Sequence, residues 1–128
     1  MVDIENKIFN AIYDAVVTQY SSADIATHYV NEPASFPHVQ VYEESNTSPR
    51  YGMNLNGDEC FSNLVYHVEI FDNMLDGEGK VNCKAILALI DPVMRKLGFR
   101  RTYCAPVPNY QDATIYRMVI RYSRLQEN

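Results

Sequence analysis

Apolar positions recur along the chain at two different periods, and each period predicts its own kind of element. Over residues 3–20, Ile4, Ile8, Ile12, Ala15, Val16 and Tyr20 fall three or four residues apart, which places them on one face of a helix. Asp3 is suited to cap its start, Glu5 complements the positive end of its dipole, and Ser21-Ser22 ends it. A second helical stripe runs through 80–97, with Val81, Ile86, Leu87, Ile90, Met94 and Leu97 apolar. Pro92 interrupts that stripe. Either the helix kinks there, or Asp91 caps a fresh turn with Pro92 in its first position. Gly98 is placed to close the helix.

Elsewhere the period is two, the mark of a half-buried strand. Residues 38–43 (HVQVYE) alternate after Pro37, and Thr27–Val30 form a short extended stretch before them. Residues 61–72 set Leu64, Tyr66, Val68 and Ile70 on one face against Val65, His67, Glu69 and Phe71 on the other. Phe99 to Ala105 and Ala113 to Arg124 are the last two strands. In the final one Tyr116, Met118, Ile120 and Tyr122 oppose Ile115, Arg117, Val119 and Arg121. The order of helix, two or three strands, helix and two strands predicts an α+β domain. Its sheet would hold about four to five mostly antiparallel strands, with both helices on one face.

Residues 45–60 obey neither period. Asn46, Ser48, Pro49, Gly52, Asn54, Asn56, Gly57 and Asp58 are turn formers, giving a long loop or a hairpin extension that turns at Asn56-Gly57. Arg50, Tyr51, Met53 and Leu55 sit among them, and large side chains in such a segment point to a docking arm as readily as to a plain surface loop. Arg117 and Arg121, interleaved with Ile115 and Val119, suit a subunit interface or a solvated outer face.

With 128 residues the chain fits one domain, 1–128, large enough to bury a core without staples. A net charge of −5 lacks the basic excess of a protein that grips phosphates. Ten tyrosines without a tryptophan fit half-buried sheet faces and protein contacts. No apolar run reaches the ~20 residues of a membrane helix, and the N-terminus lacks the basic-then-apolar layout of a secretory signal, so a cytoplasmic setting is expected. Cys60, Cys83 and Cys104 are scattered, which argues against a disulfide framework or a C-x-x-C site.

The candidate chemistry is thin. Asp76-Gly77-Glu78-Gly79-Lys80 approximates a phosphate loop, but Met74 and Val81 occupy the positions of its first glycine and its Ser/Thr. A calcium loop starting at Asp72 fails at Met74 and again at Cys83, where a bidentate Glu belongs. His28, His38 and His67 lie on separate elements without metal-site spacing, and no G-x-S-x-G elbow occurs. Cys83 sits near a helix start without an identifiable base. Glu43-Glu44 point to opposite faces of a strand, poor geometry for shared acid–base work. The expectation is therefore no catalytic residue, no cofactor and no metal.

Several ordered motifs carry a resemblance. They are the Asp3–Asn6 helix start, Ser35-Phe36-Pro37 leading a Val-x-Val strand, Cys83-Lys84-Ala85-Ile86 in a helix ending Leu97-Gly98-Phe99, and 108–117 (PNYQDATIYR) before the final strand. In that order they resemble the tail-terminator (tail-completion) proteins of long-tailed, non-contractile phages and prophages. The resemblance implies a ring homo-oligomer, usually a hexamer, capping the head-proximal end of the tail tube. It also implies contacts with the major tail-tube protein and with head connector or neck proteins, and DNA passing through without specific binding. No membrane and no catalytic residue are implied, and the site of action would be the virion, after assembly in the host cytoplasm. Residues 45–60 match no shared motif. Another neck component, a small ligand-binding regulatory domain, or an enzyme whose histidines converge with carboxylates only in the fold are the alternatives.

Overall fold

In the computed structural model, residues 3–30, 33, 35–47, 61–74, 77–108 and 112–127 are described. Seven elements follow in order: α1 (Glu5–Val17), β1 (Asp24–Ala26), β2 (His38–Thr47), β3 (Phe61–Asp72), α2 (Glu78–Lys96), β4 (Arg100–Pro106) and β5 (Tyr116–Glu127). The strands form one sheet in the order β1-β2-β3-β5-β4. All neighbours are antiparallel except β1, which runs parallel to β2. This is the α+β arrangement that the two periods predict.

Both helices lie on one face. Ile8, Ile12 and Val16 of α1 and Cys83, Ile86, Ile90 and Met94 of α2 close over Val39, Val41, Leu64, Tyr66, Val68, Ile70, Met118, Ile120 and Tyr122. Each fully buried aliphatic side chain here contributes about 1.5–3 kcal/mol relative to exposure, so the stripe rather than intrinsic propensity holds each helix. Phe99 meets Tyr66 edge-on at 5.4 Å between ring centres and closes the core at one end.

Local chemistry fixes the helix ends. Asp3 accepts the Glu5 N–H at 3.2 Å, but the N-cap position is Ile4, one residue later, so Asp3 is not the cap that its sequence position predicts. Gly77 (φ +82°) turns the chain into α2, and Gly98 (φ +87°) turns it out. There the Gly98 N–H reaches the Arg95 carbonyl and the Phe99 N–H the Met94 carbonyl, the paired bonds of a Schellman close. α2 continues through Pro92 as one element, so Asp91 does not start a fresh turn. Pro92 leaves the Ala88 carbonyl without its helical donor, and both residues are exposed, where water can serve instead.

Four expectations shift. The first strand is Asp24–Ala26, not the Thr27–Val30 stretch, because its pairing with His38–Gln40 sets the position rather than β-propensity. β2 runs on to Thr47, so residues 45–47 are strand, and β2 pairs with β3 as the arms of a hairpin. The rest of the 45–60 segment, with Arg50, Tyr51, Met53 and Leu55, lies outside the described residues. Val81 is 64% exposed and stands off the stripe, where buried Cys83 takes its place. The last strand starts at Tyr116, three residues later than alternation alone placed it.

Candidate interaction face

Among the described residues, the sheet's second face carries no helix. Alternation sends His38, Gln40 and Tyr42 of β2, His67, Glu69 and Phe71 of β3, and Arg117, Val119 and Arg121 of β5 to this side. Register then decides who meets whom. Gln40 stands opposite Glu69, Tyr42 opposite His67, Phe71 opposite Arg117, and His67 opposite Arg121. A shift in the β2–β3 ladder between Glu43 and Ser45 leaves Glu44 as the extra residue. Its carboxylate reaches Arg121 Nε at 3.1 Å, on this face, while Glu43 turns to the helix side. The two adjacent glutamates thus part to opposite faces, as their sequence positions predict.

Glu69 is the centre of the face. Its side chain is only 1% exposed, a placement tolerable for a carboxylate only when it is paired and hydrogen-bonded. Arg117 donates through Nε at 3.1 Å and through a second nitrogen to Oε1. Gln40 Nε2 donates to Oε2, and Gln40 Oε1 in turn accepts the Val30 N–H at 2.7 Å. His67 Nε2 stands 3.3 Å from Oε1. Burial pushes the Glu69 pKa up, but His67, the Arg117 bonds and charge, and Gln40 outweigh it and hold the carboxyl below its ordinary value.

Beside this cluster lies a second. Arg121 pairs with Glu44 and lies 5.0 Å over the Tyr103 ring of β4, while Tyr42 stacks on His67 at 4.9 Å. Arg117 is a quarter exposed (25%) and Arg121 more so (39%). The face is therefore a set of charges pinned in place, of which Arg121 is the more accessible. β4 borders it as an outer strand, most of whose residues are exposed, with its far edge unpaired among the described residues.

Arg117 and Arg121, placed on one face by sequence alternation, do share it. They do not form a simple row, because Arg117 is committed to Glu69. The residues that hold them, Gln40, Glu44, Tyr42, His67, Glu69 and Tyr103, carry no motif. The one trace in sequence is a charged and an imidazole side chain on the second face of an otherwise apolar strand. The histidines separate: His67 joins Glu44 and Glu69, whereas His38 Nδ1 lies 3.0 Å from Asp24 Oδ2. His28 and His38 border an open groove of about 540 Å³ between α1 and β1, together with Asn6, Phe9 and Asp24. In the His67 cluster both carboxylates are already engaged by arginine, and Tyr42 covers the ring, so no free base faces solvent there.

No protein-family model matches the chain. No curated protein matches it in sequence either. Among the described residues, no helix is long and apolar enough to cross a membrane.

Proposed function

We propose that the chain is a structural assembly subunit of a phage tail, forming a ring that caps the head-proximal end of the tail tube. The cap ends tube polymerisation and offers a joining surface to head connector or neck proteins. Its work is geometric rather than catalytic. A heterologous contact repeated around an axis closes into a ring, and the capped tube no longer presents its docking surface. The ring, a hexamer by the family resemblance, would act in the virion after assembly in the host cytoplasm. Its net charge of −5 suits a conduit that passes DNA without holding it.

The observation that carries the proposal is the face opposite the two helices, where Arg121, Tyr103 and Glu44 form a pre-arranged polar patch beside a β4 edge that no strand pairs among the described residues. Arginine and tyrosine held in place lose little freedom when a partner docks, which is why such residues anchor interfaces. The ordered motifs from Asp3 to Arg117 support the family assignment. Another neck component would use the same face.

The deciding measurement is the solution mass by native mass spectrometry across concentration, alone and with tail tubes. A ring, or a monomer that becomes a ring on tube ends, is expected, and Arg121→Glu should weaken it at least tenfold while the chain stays folded. A monomer that ignores tubes at every concentration overturns the proposal. A second reading, a small-ligand domain, has the groove at Asp24, His28 and His38 in its favour. It would be supported by thermal stabilisation with a small molecule in that monomeric case.

A further inference from the structure

On the helix side of the sheet, three carboxylates meet where α1 begins. One oxygen from each of Asp3, Glu5 and Glu43 lies within 4.8 Å of the others. Among the described residues none of the three is paired with a lysine, arginine or histidine. The positive end of α1 supplies only about half an elementary charge, so the cluster stays strongly negative. Burial, then Glu43 and Asp3, push the Glu5 pKa above its ordinary value.

An acidic cluster alone says little, but a buried tyrosine stands on the strand facing one of its carboxylates. Tyr66 faces Glu43 directly across the β2–β3 ladder and is 0% exposed. Among the described residues its hydroxyl has no hydrogen-bond partner, and neither does the buried Glu43 Oε1. A buried tyrosine normally finds a partner for its hydroxyl, so two orphaned oxygens on residues that face each other across the ladder call for an account. Burial first, and then the charges of Glu43, Glu5 and Asp3, raise the Tyr66 pKa, and a phenol hydroxyl has lone pairs to offer a cation.

We propose that Asp3, Glu5 and Glu43, with the Tyr66 hydroxyl, bind a hard divalent cation that ties the start of α1 to the β2–β3 pair. An all-oxygen donor set selects such ions over softer metals. Ligands about 2.1–2.4 Å from one ion stand at most roughly 4.8 Å apart, so oxygens that all lie within that bound can share one calcium- or magnesium-sized ion. Magnesium demands near-ideal octahedral geometry and gives up its waters reluctantly, which favours calcium at a site built from several carboxylates. Two ligands lie two residues apart at the helix start and the others on neighbouring strands, so the ion would cross-link elements distant in sequence. It is independent of the ring proposed above.

The test is thermal unfolding of the full chain with CaCl₂, MnCl₂ or MgCl₂, against NaCl at matched ionic strength. Site occupancy predicts a saturable rise of about 5 °C at tenfold excess over a dissociation constant on the order of 10⁻⁴–10⁻³ M, with calcium ahead of magnesium. Glu43→Gln should abolish the calcium response and raise the metal-free melting temperature by relieving repulsion, a result that simple damage to the fold would not give. Tyr66→Phe should weaken binding several-fold. Mn²⁺ should broaden NMR signals around Asp3, Glu43 and Tyr66. The proposal is overturned if the divalent salts act no differently from NaCl, if Glu43→Gln keeps the response, or if the broadening lies elsewhere.

Discussion

Replacing Arg117 by glutamine removes the guanidinium from Glu69 while leaving the carboxylate buried. Breaking a fully buried ion pair costs about 3–5 kcal/mol, and a hydrogen bond to a charged group is worth about 1.5–3 kcal/mol. Two facts reduce the upper figure. Arg117 is 25% exposed, so water already screens part of its charge, and Glu69 keeps its bond from Gln40 and the facing His67 ring. The expected loss near neutral pH is therefore about 2–3 kcal/mol, or roughly 10 °C in melting temperature for a domain of this size. The Glu69 pKa is lowered in the folded chain, so its contribution is complete above the unfolded value and lost as pH falls through the folded one. The gap between wild type and variant should accordingly be widest from about pH 6 to 8 and shrink below about pH 4.5. Urea unfolding at about pH 7.5 and about pH 4 measures both. In the double variant Glu69→Gln/Arg117→Met, which leaves no orphaned charge, stability should return to within about 1 kcal/mol of wild type. A loss below about 0.5 kcal/mol, or one equal at both pH values, would refute the account of Glu69 as a buried charge that Arg117 neutralises.

Asp91 on α2 accepts from the Tyr122 hydroxyl at 3.0 Å, Arg95 at 2.6 Å and Arg101 at 3.2 Å, joining the helix to β5 and β4. Asp91→Ala strands the buried Tyr122 hydroxyl and should cost about 2 kcal/mol in urea unfolding, whereas Asp91→Asn keeps an acceptor and should cost about half as much. Burial pushes the Cys83 thiol up to about 12, while Cys104 is exposed on β4. Iodoacetamide at about pH 8 should therefore modify Cys104 within minutes and Cys83 only after unfolding, as followed by peptide mass mapping; similar rates at both would contradict the burial of Cys83.

Period and punctuation alone determined both helices and the course of the long strands, but not β1, whose place was set by pairing with β2. The stripe of Ile8, Ile12 and Val16 had to be buried somewhere, and the alternation in β3 and β5 had to set one apolar face against another. Gly98 had to end α2, because its left-handed backbone favours a residue without Cβ. These are local properties, and a short window of sequence contains all the physics they need. The sharing of one sheet face by Arg117 and Arg121 was legible for the same reason. Register was not. That Glu69 lies opposite Gln40 and beside Arg117, that Glu44 is the extra residue reaching Arg121, and that Glu43 meets Asp3, Glu5 and Tyr66 depend on which residues pair across strands far apart in the chain. A slip of one residue would invert each strand's faces and disperse both charge clusters while leaving every local pattern unchanged. The helices and long strands thus follow from the sequence read locally. The partners of its buried charges were decided only by the tertiary structure, because pairing energy is collected between segments that no local pattern relates.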